Sequence, residues 1–96
     1  MAQTKTITLL AQLRALVGQK AIEVTVDDGA TVRDLLRALA DAYPALAGRV
    51  LEADLTLRGD IQLVLDGRHL ALLPGGLDTP VAGVRQMLLI PPVSGG

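Results

Sequence analysis

No cysteine, phenylalanine or tryptophan occurs in the 96 residues, and there is one tyrosine and one histidine. Lacking cysteine, the chain forms no disulfide, offers no thiolate nucleophile and has no cysteine ligand for a metal. Nearly lacking aromatics, it must build its core from aliphatic side chains. Charge of one sign is also missing: nine Lys+Arg stand against ten Asp+Glu, a formal charge of −1. No basic field is therefore available to hold a nucleic-acid backbone. No apolar run approaches the ~20 residues of a membrane-spanning helix. Met1-Ala2-Gln3-Thr4-Lys5 lacks the basic start and apolar stretch of a secretion signal, so the expected location is cytoplasmic. What remains is half hydrophobic and one fifth charged, which is globular composition, and the length suits a single domain.

The first strong pattern is Thr6-Ile7-Thr8-Leu9, where apolar and polar residues alternate as in a half-buried strand over residues 4–10. Leu10 shares the parity of the threonines and is expected to point away from the core. Gln12–Val17 reads as a short helix stopped by Gly18. A second alternation, Ile22, Val24 and Val26 against Glu23 and Thr25, predicts a strand over 21–26 that ends at Asp27-Asp28-Gly29. The two strands form a wide hairpin.

Thr31 suits a helix N-cap, with Asp34 in the first turn. Val32, Leu35, Leu36 and Leu39 then recur at helical spacing, opposite Arg33, Arg37 and Asp41. Pro44 ends this helix near Ala42–Tyr43 and opens a second one running to about Leu51. Tyr43 reads as a packing residue at the helix end. Glu52–Asp60 is polar and irregular. Ile61–Leu65 predicts a strand, Asp66-Gly67 a hairpin turn, and Arg68–Leu73 the partner strand, broken by Pro74-Gly75-Gly76. Leu77–Val84 is a loop and Arg85–Ile90 a final strand. The pattern is α+β: a mixed sheet of four to five strands with one main helix across it, for which a β-grasp topology is an economical solution. Residues 1–90 make the domain, and 91–96 an extended tail.

The body offers little chemistry. His69 is alone, with Asp66 of the same turn as its nearest acidic neighbour, and reads most simply as a solvated hairpin residue. Ser94 lacks a nucleophile-elbow setting, and one histidine makes a hydrolase triad a poor expectation. Asp27-Asp28 and Glu52/Asp54 lack the spaced oxygens and glycine of a calcium loop, and no phosphate-binding glycine motif is present. No metal site is expected.

The tail, Pro91-Pro92-Val93-Ser94-Gly95-Gly96, is different. Its prolines favour an extended exit from the last strand, and six residues span at most ~20 Å. Gly95 and Gly96 have no Cβ, so this end could enter a narrow channel and present its carboxylate inside another protein. By its composition alone it could equally be a frayed end.

A Pro-Pro-Val-Ser-Gly-Gly ending directly after a strand resembles the MoaD/ThiS family of ubiquitin-like sulfur carriers. Leu10-Ala11-Gln12-Leu13-Arg14 is similar to that family's first strand-to-helix segment. Gly29–Leu36 resembles the start of its main helix, and Tyr43-Pro44-Ala45-Leu46 its end. Val64–Gly67 resembles its Val-Asn-Gly turn, and Asp78-Thr79-Pro80-Val81 the loop that follows. The chain departs from the pattern at Ala82–Gln86, where the family commonly has Gly-Asp-Glu, and at Leu89 and Ile90, where aromatics are common. The extra length around Glu52–Asp60 and Pro74–Leu77 leans toward the cysteine-synthesis carriers and the archaeal modifiers, which share the ending.

The resemblance implies a carrier, not an enzyme, whose Gly96 carboxylate is adenylated by a MoeB/ThiF-like activating enzyme and converted to a thiocarboxylate. ATP and magnesium belong to that partner, and the chain itself holds no cofactor. Pro91, Pro92, Val93, Ser94 and Gly95 present the end. Sulfur would pass to the MoaE-like large subunit of molybdopterin synthase; cysteine, thiazole or other sulfur-metabolite synthesis is the alternative, as is conjugation to protein lysines through Gly96. By position in the family, Leu10, His69 and Ile90 contact the activating enzyme, and the outward parity of Leu10 agrees.

Overall fold

The computed structural model describes residues 1–92. Strands β1 (Ala2–Leu9), β2 (Ala21–Asp27), β3 (Gln62–Leu65), β4 (Arg68–His69) and β5 (Met87–Ile90) form one sheet in the order β2-β1-β5-β3-β4. β5 runs parallel to β1; the other pairs are antiparallel. Helices α1 (Gln12–Val17), α2 (Val32–Ala42) and α3 (Pro44–Val50) complete the β-grasp architecture.

Period-two alternation decides which face of the sheet is buried. Ile7 and Leu9 of β1, Ile22, Val24 and Val26 of β2, Met87 and Leu89 of β5, and Leu63 and Leu65 of β3 turn inward. They meet Val32, Leu35, Leu36 and Leu39 of α2 and Leu46 and Val50 of α3 in one core. Interlocking branched aliphatic side chains supply the packing that aromatics supply elsewhere. α2 starts as its sequence predicts: the Thr31 side chain accepts from the Asp34 N–H, and the Asp34 carboxylate accepts from the Thr31 N–H at 3.0 Å. Pro44 then opens α3, where a missing N–H costs nothing. Gly18 closes α1 with φ 72°, a left-handed position that suits glycine.

Three expectations change. β4 is two residues long, not a strand over Arg68–Leu73, because the chain turns at Leu70–Leu72 into a 3-10 turn. Three residues per turn place Leu70 and Leu73 on the same side, against the core, whereas alternation would part them. Leu72 is thereby turned outward and is 77 % exposed. β5 begins at Met87, not Arg85, since the N–H groups of Arg85 and Gln86 donate to the Asp66 carboxylate at 3.0 and 2.8 Å rather than to a strand. β1 starts earlier than expected, at Ala2, paired with Asp27.

Candidate functional site

Pairing register assembles a second, smaller apolar surface on the sheet face away from the helices. Thr8 pairs with Leu88, Leu88 with Val64, and Val64 with His69, so these four form one row across four strands. One row further along β5, Ile90 faces Gln62. Leu10, directly after β1, donates its N–H to the Leu89 carbonyl at 3.3 Å and so lies alongside the end of β5. Leu10, Leu88 and Ile90 are half-buried and His69 is exposed. Val64 is only 7 % exposed yet stands outside the main core.

The residues expected from the sequence thus reach one face: Leu10 and Ile90 in one row, His69 at the far end of the next. The sequence reading passed over Val64 and Leu88, which join them. Their signal was present in the strand alternation: with Met87 and Leu89 inward, Leu88 and Ile90 must both face out. Leu72, beside His69, was hidden for another reason, since it faces out only because the expected strand is a 3-10 turn.

The tail leaves from the end of β5, between β1 and β3 in the sheet. Pro91 is buried and Pro92 exposed. Their rigid φ starts the exit in an extended direction. A cleft of about 430 Å³ opens at this point, lined by Leu13, Arg49, Arg58, Ile61, Pro91 and Pro92 among others. Arg58 lies 3.9 Å from Asp60, while Arg49 has no ion-pair partner among the described residues. Neither arginine was singled out from the sequence, because α3 and the irregular segment meet only through the fold. Val93, Ser94, Gly95 and Gly96, four of the expected tail residues, lie outside the described residues.

Among the described residues no group of three or more His, Cys, Asp or Glu side chains could hold a metal ion. The two clearly shifted carboxyls are local structural devices. Asp34 is held below its usual 3.8 mainly by the Thr31 N–H. Asp54 is lowered by the Thr56 hydroxyl, which donates to it at 2.6 Å, and then by the Thr56 N–H. No helix among the described residues is long and apolar enough to cross a membrane.

Comparison with known proteins decides the family. The model of the ThiS family matches residues 7–96, the whole fold from the middle of β1 through the tail. The chain belongs to the ThiS family of ubiquitin-like sulfur carriers. It is 38 % identical over 90 residues to small archaeal modifier protein 3 of Haloferax volcanii, covering 94 % of this chain and 96 % of that protein. The crystal structure of SAMP1 from the same organism superposes with a TM-score of 0.81 at 35 % identity, covering 98 % of this chain and all of that one. A putative molybdopterin converting factor subunit 1 from Pyrococcus furiosus shares the fold, with a TM-score of 0.67 at 21 % identity over 94 % of this chain and 98 % of that one.

Proposed function

We propose that this chain is activated at Gly96. Its carboxylate attacks the α-phosphorus of ATP on an adenylating partner, releasing pyrophosphate and forming an acyl-adenylate. Hydrosulfide delivered by a sulfur donor attacks the acyl carbon, the bond to the AMP oxygen breaks, and loss of AMP and a proton leaves a thiocarboxylate. A carboxylate resists nucleophiles, and the adenylate supplies the leaving group that it lacks. Glycine leaves the acyl carbon unhindered. The thiocarboxylate is an anionic sulfur nucleophile and needs no help from the chain's own side chains. The observation that supports this reading is that the family match runs to residue 96 and so takes in the Gly-Gly ending.

The row from Thr8 to His69, with Leu10 and Ile90, is the surface that would seat the activating enzyme. An apolar patch on an otherwise threonine-rich face suits a partner better than solvent. Pro91 and Pro92 would then aim the tail, and magnesium and the catalytic side chains would be the partner's.

Two destinations follow for the activated group. In the first, sulfur passes to an acceptor such as the large subunit of molybdopterin synthase. In the second, a lysine amine of a target protein displaces the activating group and forms an isopeptide bond. The second is favoured by a specific observation: relatives at 38 % and 39 % identity are named as small archaeal modifier proteins, whereas the molybdopterin-related neighbour shares the fold alone. Proteolysis of cell extracts separates the two. Modification predicts target lysines that carry tail remnants, the peptide Gln86–Gly96 after tryptic cleavage at Arg85, and these remnants vanish when Gly95-Gly96 are deleted. Their absence from wild-type extracts, with sulfur transfer intact, would leave the carrier role alone.

A further inference from the structure

β2 is an edge strand, bonded to β1 on one side only. Its register decides which main-chain groups face outward. Leu9 donates to the Lys20 carbonyl and Asp28 to that of Met1, both at 2.8 Å, so even-numbered residues of β2 turn their backbone toward β1. Ala21, Glu23, Thr25 and Asp27 turn theirs to the open edge. Two of these positions are partly occupied. The Glu23 carbonyl accepts from the Tyr43 hydroxyl at 3.4 Å, and that of Asp27 from the Ala30 N–H and the Gln3 side-chain amide, both at 3.0 Å. Thr25 makes no main-chain hydrogen bond among the described residues.

A groove of about 610 Å³ runs beside this edge, between β2 and α2. Its floor is apolar, from Val26, Ala30 and Ala38, and its rim carries Asp27, Asp34 and Asp41 against one cation, Arg37. Asp34 is engaged in the α2 cap, which leaves Asp27 and Asp41 to face an occupant. In a chain whose total charge is −1, this is a local negative excess.

An open edge offers alternating donors and acceptors to an extended segment, and a flanking groove takes every second side chain of that segment. We propose that β2 and its groove accept an extended peptide segment of another protein, added as a further strand, with lysine or arginine side chains seated against Asp27 and Asp41. A second copy of this chain is disfavoured as occupant, because edge-to-edge pairing would bring two carboxylate rims together. The site is on the far side of β1 from the tail strand, so its occupation is independent of chemistry at Gly96.

Tyr43, the only aromatic residue, sits on this edge, so tyrosine emission reports on one place in the molecule. The full chain is titrated with acetyl-Thr-Lys-Val-Lys-Val-Thr-amide, with its Glu-for-Lys counterpart, and with a form N-methylated at alternate peptide nitrogens. Binding is read from Tyr43 emission and from backbone amide spectra. The lysine peptide is expected to shift the amides of Ala21, Glu23 and Thr25, and the other two to bind at least about tenfold more weakly, as lost charge pairing and lost main-chain bonds require. Asp41→Lys should weaken the lysine peptide at least about threefold while leaving the fold intact, since a cation near the end of α2 suits the helix dipole. The proposal is overturned by no perturbation at millimolar peptide, by equal binding of the three peptides, or by an indifferent Asp41→Lys variant. It is equally overturned if the edge amides shift with protein concentration alone, which assigns the edge to a second copy.

Discussion

Asp66 does more for this fold than its place in a turn suggests. With φ at 50° for Asp66 and 86° for Gly67, the two residues make the tight turn that joins β3 to β4. The Asp66 carboxylate then reaches across to the N–H groups of Arg85 and Gln86 and ends the loop that precedes β5. Asp66→Ala loses those bonds and places an alanine at a positive φ, so it should cost about 1–3 kcal/mol in denaturant unfolding. Asp66→Asn keeps one acceptor and tolerates the backbone, so its loss should be smaller. Equal losses would contradict both contributions, since Asn differs from Ala in its acceptor and in its tolerance of the turn backbone. Asp34 gives a pH signature. Its folded carboxyl releases its proton more readily than the unfolded one, so in acid the unfolded chain binds more protons. The stability it contributes is present above the ordinary value of 3.8 and is lost as pH falls through the lower, folded value. Asp34→Asn removes this titration and should flatten the decline of Tm below about pH 4, with Asp54 left to supply the remainder. An unchanged slope would contradict the assignment.

Elements differ in how openly their sequence announces them. α2 could be read in full, from the Thr31 cap to the Pro44 stop, because capping chemistry and apolar spacing agree and act locally. The same holds for β2 and the Asp66-Gly67 turn, and for the alternation of β1 though not for its bounds, Ala2–Leu9. β4 and the start of β5 were misread because non-local contacts decide them. Leu70 and Leu73 leave the ladder to reach the core, and Arg85 and Gln86 are claimed by a side chain 19 and 20 residues earlier in the chain. The apolar face of the sheet was half legible: parity exposes Leu10 and Ile90, but only pairing register sets Leu88 beside Val64 and both in line with His69. At this scale the core makes its own prediction. Leu36 of α2 is 1 % exposed in an all-aliphatic interior. Leu36→Ala should cost about 2–5 kcal/mol, with a matching fall in Tm. A loss under about 1 kcal/mol would mean that the helix does not pack on the sheet as described.

For the whole molecule, the proposed division of labour is between a folded body and the chain end. On that proposal the body supplies a docking face and a launch point at Pro91, the carbon that reacts is that of Gly96, and the catalytic groups are the partners'. Leu88→Asp, at the centre of the outer row, separates these roles. It should leave the circular dichroism spectrum unchanged and slow ATP-dependent activation by the adenylating enzyme at least about tenfold, as loss of a central interface contact does. Activation at the wild-type rate would remove that face from the account. The chain has no cysteine, so the sulfur proposed for it would sit on the terminal carboxyl carbon and not on a side chain.

That central claim has a direct measurement. The full chain is incubated with its adenylating enzyme, ATP, magnesium and a sulfur donor, and its intact mass and C-terminal peptide mass are recorded. The account predicts a gain equal to the difference between sulfur and oxygen, confined to the peptide ending in Gly96 and dependent on ATP. An unchanged mass, or the same gain located elsewhere in the chain, would contradict it.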